Sequence, residues 1–150
     1  MVRMSRYLAV VVLFLGVASL AIGVVFVQQG VAAKGMIVEE LDAEKVTLGI
    51  DENAASHGDV VDTAREAQVA QDILEEHLRD DYGTYGDTER GSPERATYLD
   101  GTILRNSLNL AVMGFGISTV VTISGVFMII TGIALGATGA AVLGLARRTS

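Results

Sequence analysis

The chain has 150 residues, half of them apolar, with eleven lysines and arginines against eighteen aspartates and glutamates. One proline, no cysteine and no tryptophan confine it to a single small unit, without disulfide staples or thiolate-held zinc or iron–sulfur centres. The average conceals three blocks: every acidic residue lies between Glu39 and Asp100, whereas residues 8–27 and 108–146 carry no charged side chain.

Residues 1–7 are a short tail holding Arg3 and Arg6. The twenty uncharged residues 8–27 suffice, at about 1.5 Å each, to cross a hydrocarbon layer about 30 Å thick. Beyond them only Gly30 interrupts the pattern, so the first helix is predicted to continue to about residue 34 and to stop at Gly35. A cleaved signal peptide, with Val31 and Ala33 before the cut, is the rival reading. Its apolar core would exceed the roughly 7 to 15 residues such peptides use.

The central block, residues 28–107, sets eighteen acids against seven bases, a net charge of −11. Such a surface repels polyanions and anionic head groups, which excludes a nucleic-acid partner. Within it, Met36, Ile37 and Val38 and then Val46, Leu48 and Ile50 read as a loose hairpin or extended segments between Gly35 and Asp51. Val61, Ala64, Ala67, Ala70, Ile73, Leu74, His77 and Leu78 recur at steps of three and four, predicting an amphipathic helix from about Asp62 to Arg79 with Asp59 or Asp62 as its cap. The glycine-, aspartate- and threonine-rich stretch 82–91 reads as a loop. Ser92-Pro93-Glu94 then starts a helix, with serine as cap, proline in the first position and an acid in the first turn; Gly101 is a candidate kink.

The second apolar block, residues 108–146, is nearly twice the length of one upright span and contains no proline. A turn near Gly125 or Gly132 would make two short crossings but leave Arg147 and Arg148 on the outer side; one long helix, spanning over about 122–146, keeps them inside with Arg3 and Arg6. Residues 147–150 form the second cytoplasmic tail. In this layout the first part of the helix stands outside the membrane or tilts through the interface, so Leu99, Ile103, Leu104, Leu108, Ala111, Val112 and Phe115 would meet water unless covered, and the amphipathic helix is their expected cover.

Small residues fall on a seven-residue ruler in both blocks: Ala9, Gly16, Gly23 and Gly30 in the first, and Ala111, Ser118, Gly125, Gly132, Gly139 and Ala146 in the second. Helices in lipid associate through close van der Waals contact, so these stripes predict the seam of an intramolecular pair, with the left-handed crossing that a heptad implies. Gly132, Gly136, Ala140 and Gly144 form a four-residue ladder as well, which favours a right-handed crossing, so that one stripe can serve the hairpin partner and the other a second copy.

Chemistry-bearing patterns are sparse. His57, Asp59 and His77 make up the one combination with metal-binding character, a loose facial triad for an enzyme or a metal-binding receptor. No serine stands in a nucleophile motif, the pairs Glu75-Glu76 and Asp80-Asp81 read as ionised surface groups, and neither Asp80-Asp81 nor Asp51-Glu52-Asn53 has the ligand spacing of a calcium loop. Both apolar blocks lack the ionisable groups of a transport pathway. No catalytic residue and no cofactor is assigned.

The run from Gly58 to His77, the Tyr82-Gly-Thr-Tyr85 loop and the Met113-Gly-Phe-Gly-Ile-Ser118 stretch resemble a group of uncharacterised small bacterial membrane proteins, some of which carry the label aromatic ring-opening dioxygenase. The resemblance implies a bacterial cytoplasmic membrane and a two-pass layout. It carries over no dioxygenase site, since the ligands such enzymes require are not visible in this sequence.

The fold expected is mainly α: a helical hairpin of two long antiparallel transmembrane helices, both termini cytoplasmic, with a small helical extracytoplasmic domain. The function expected is a non-enzymatic structural or protein-interaction module whose partners are the bilayer and other membrane proteins or a second copy. An accessory subunit of a larger complex is the third alternative.

Overall fold

The computed structural model describes residues 2–44 and 61–148. Three helices account for its architecture: α1 over Val2–Ala43, α2 over Ala64–Tyr82 and α3 over Pro93–Arg148, with no strand among the described residues. The chain divides into two compact units, one of residues 1–32 and 118–150 and the other of residues 33–117.

The first unit is an antiparallel helix pair, and its packing is the reverse of a water-soluble core. Ala9, Gly16, Gly23 and Gly30 of α1 are buried against Ser118, Gly125, Gly132, Gly139 and Ala146 of α3, so the smallest side chains lie inside. The largest face outward: Phe14, Phe127 and Ile130 are 70%, 69% and 61% exposed. Both helices run unbroken through the glycines of the seam. Two further contacts bind it. The Ser19 hydroxyl donates to the Met128 carbonyl at 2.8 Å, and the Arg6 guanidinium donates to the Ala146 carbonyl at 3.2 Å. Thr122 and Thr138 donate instead to carbonyls one turn back in their own helix, those of Ser118 and Ala134.

In the second unit α1 does not stop at Gly35. It continues to Ala43, and Met36, Ile37 and Val38, expected in an extended segment, are helical. Glycine ends a helix when it takes up a left-handed conformation, and the positive-φ glycines here are Gly83 and Gly91. Gly35 costs the helix about 1 kcal/mol relative to alanine. Burial of Leu41, with Ile37 and Val38 packed beside it, overrides that cost. Val46, Leu48 and Ile50 lie outside the described residues.

The core of this unit is Leu41 of α1, Val61, Ala67 of α2, and Leu108, Ala111 and Phe115 of α3, bordered by Ala64, Ala70, Leu74 and Val112. Gly101 is a seat and not a break. The helix runs unbroken through it, and a Cβ there would lie 2.6 Å from Leu78 Cδ2, so its absence lets buried Leu78 close onto α3. Glu75 pairs with Arg79 at 2.6 Å and with Arg105 of α3 at 3.5 Å, both on the surface.

The α2 cap is Thr63, not Asp59 or Asp62, and the helix runs one turn further than Arg79, to Tyr82. The Thr63 hydroxyl accepts from the Glu66 amide at 3.2 Å, while the Glu66 carboxylate accepts from the amides of Asp62 and Thr63 at 3.0 and 3.1 Å. This reciprocal box satisfies amides that a helix start leaves without partners. The Asp62 amide, with smaller help from Thr63, holds the Glu66 carboxyl below its ordinary value of 4.5. The folded chain binds this proton less tightly than the unfolded chain. Its contribution to stability is therefore fully present above pH 4.5 and fades as pH falls below that value. Thr63→Ala is expected to cost about 1 kcal/mol, read as faster amide exchange over the first turn of α2. Glu66→Gln should remove the part of the acid sensitivity that this carboxylate supplies.

The 83–92 connection has its own internal bonding. Asp87 accepts from the Thr84 amide and hydroxyl, both at 2.7 Å, which lowers its carboxyl from the ordinary value. The Arg95 guanidinium lies 4.1 Å from the centre of the Tyr85 ring and donates to the Thr88 carbonyl. Ser92 caps α3 as the sequence indicates, its hydroxyl accepting from the Arg95 amide at 3.2 Å.

Candidate functional site

Two features have the geometry of a recognition surface: the seam of the first unit and a groove in the second. At the seam, a Cβ on Gly16 would lie 2.8 Å from the Gly136 amide nitrogen and 3.0 Å from the Gly132 carbonyl. On Gly23 it would lie 2.7 Å from the Gly125 carbonyl, and on Gly125 and Gly132 it would meet the Gly23 and Gly16 carbonyls at the same 2.7 Å. Gly30 would press a Cβ into the Thr122 hydroxyl, and Gly139 would bring one to 3.0 Å from the Leu13 amide. The backbones thus touch where the heptad stripes face each other. Gly136 presents its backbone to Gly16, but a Cβ on Gly136 itself, like one on Gly144, would meet nothing within 4 Å. Of the ladder, Gly132 belongs to the seam, while Gly136 and Gly144 have open space where a side chain would stand.

The groove runs between the end of α1 and the first part of α3 and encloses about 890 Å³. From α1 come Met36, Ile37, Glu40 and Leu41, with Glu44 in the turn that follows; from α3 come an apolar strip of Ile103, Leu104, Leu108, Leu110 and Ala111, with Asp100 and Ser107 on its edge. Gly114 closes one end, where a Cβ would stand 2.7 Å from Ile37 Cδ1. The groove exists because α2 covers less of α3 than its periodicity predicts. Leu108, Ala111 and Phe115 are buried under it, but Leu99, Ile103 and Leu104 remain 43%, 64% and 43% exposed. α2 has nineteen residues, and its apolar positions Ala67, Ala70 and Leu74 pack on the Leu108–Phe115 level.

The histidine and acid combination is not assembled among the described residues. His57 and Asp59 lie outside them, and His77 is exposed on α2. No group of three metal-ligating side chains occurs among the described residues. Sequence periodicity did not identify Glu40, Glu44 and Asp100 as one rim, because the two helices that carry them are some sixty residues apart in the chain. Comparison with protein-family models, curated proteins and solved structures returns no match.

Proposed function

We propose that this chain is a two-pass integral membrane protein that holds both termini in the cytoplasm and displays its acidic helical unit on the opposite side as a docking module for protein partners. The observation that carries the reading is the inverted packing of the first unit, with glycines inside and phenylalanine, isoleucine and valine outside. Water would drive those outer side chains together, whereas lipid solvates them and leaves close backbone contact as the force between helices. Both helices are long and apolar enough to cross a bilayer, with windows of mean hydropathy 2.9 and 2.2. In the sequence Arg3, Arg6, Arg147 and Arg148 flank the two apolar blocks on the sides away from the carboxylates, the asymmetry that keeps basic ends inside.

A bacterial cytoplasmic membrane is the location the resemblance implies. The role assigned is binding and not catalysis, since what the second unit offers is an apolar groove edged with acids. Cysteine-free sequence makes the topology directly testable. A cysteine placed at Ala55 should react with an impermeant maleimide on intact cells, and one at Arg148 only after permeabilisation. Labelling of position 148 from outside would overturn the layout.

A further inference from the structure

We infer that the groove receives a basic amphipathic helix of a partner protein, lying along α3 with its apolar stripe on Leu104 and Leu108 and its cationic end against Glu44 and Asp100. This deepens the docking reading above and rests on it.

Three observations define the occupant. From Asp100 to Gly114 the groove follows fifteen residues of α3, about 21 Å, the length of a helix of about fourteen residues. Its floor is aliphatic, so the occupant must offer an apolar face at three- and four-residue steps. Among the described residues its rim is of one sign: Glu40, Glu44 and Asp100 line it, no lysine or arginine does, and no ion pair engages these three carboxylates.

The charges are also unevenly placed. Ile37 packs at Gly114, so the groove is uncharged at the Met36 and Gly114 end and acidic toward Glu44 and Asp100. A bound helix therefore has a preferred direction, with its cations gathered near one end. A second copy of this chain is a poor occupant, because its central block carries −11 and would bring like charge to the rim. Anionic lipid is disfavoured for the same reason.

The full chain, reconstituted in phosphatidylcholine nanodiscs, provides the test. An environment-sensitive dye on Ile103→Cys reports the groove, and the same dye on Asp72→Cys, exposed on α2, reports nonspecific adsorption. The probe is a synthetic leucine–lysine amphipathic peptide of about fourteen residues, with a leucine–glutamate twin. Saturable response at position 103 alone, weakened about tenfold by the triple change Glu40→Gln, Glu44→Gln, Asp100→Asn and by raising salt to about 0.5 M, is expected.

No response at 103, an equal response at 72, binding unchanged by the triple variant, or equal binding of the glutamate twin would each overturn the proposal. So would a dye signal that grows with protein concentration in the absence of peptide, which would put a second copy in the groove. Incorporation into the nanodiscs is scored first, and the peptide assay is read whether or not the chain incorporates. Failure to insert counts against the membrane reading, and failure to bind counts against the groove alone.

Discussion

Replacing Gly23 by leucine is expected to separate the apolar helix pair, at a cost of about 3 kcal/mol, the upper part of the range for overpacked contacts. The obstruction is backbone and not side chain. A Cβ at Gly23 would already lie 2.7 Å from the Gly125 carbonyl oxygen and 2.9 Å from the Ile129 amide nitrogen, so even alanine forces the helices apart. Close approach is the main source of attraction between helices in lipid, and the loss is not offset by hydrophobic burial elsewhere. A disulfide reporter reads the separation. A Cβ on residue 139 would stand 3.1 Å from Leu13 Cβ, a few tenths of an ångström inside the roughly 3.5 to 4.5 Å of a disulfide, so with a local shift of that size Leu13→Cys with Gly139→Cys should crosslink within the chain on mild oxidation. Gly23→Leu should slow that crosslinking about tenfold or more, while Gly144→Leu, whose side chain enters open space, should leave it within about twofold. Equal behaviour of the two leucine variants would remove the seam as the basis of the pair.

The seam was readable in the sequence because one physical cause wrote it in two places. Glycine, alanine and serine every seven residues, within stretches free of charge, have little other use than to let two helices touch. The start of α3 was readable for a similar reason, since serine, proline and glutamate in succession satisfy three separate demands of a helix start. The passage of α1 through Gly35 was not readable. Whether glycine ends a helix depends on whether burial beyond it compensates, and Leu41 acquires that burial from α2 and α3, distant in sequence. The Thr63 cap was present as threonine followed three residues later by glutamate, but Asp59 and Asp62 offered competing caps within five positions. The groove is the least readable feature of all. It is a difference between the apolar surface α3 offers and the part α2 covers, and only assembled helices define that difference.

The same partition predicts the second large effect. Phe115→Ala should cost about 3 to 5 kcal/mol, as for buried phenylalanines elsewhere, and should detach α2 without disturbing the seam. Phe115 is 2% exposed at the centre of the Leu41, Val61, Ala67, Leu108 and Ala111 cluster, and it is the bulkiest of those buried side chains. Beyond that cluster α2 has its capping box, the contact of Leu78 with Gly101 and the partly exposed Glu75 pairs, none large enough to hold nineteen residues in place. Trypsin provides the readout. Arg65 and Arg79 lie on exposed positions of α2, where a folded helix resists the extended conformation a protease requires. Cleavage at both should accelerate in Phe115→Ala by an order of magnitude or more, while the Leu13→Cys and Gly139→Cys crosslink persists. Ile103→Ala, on the groove and 64% exposed, should change cleavage by no more than about twofold. If Phe115→Ala left α2 as resistant as before, the core would not be what orders this helix.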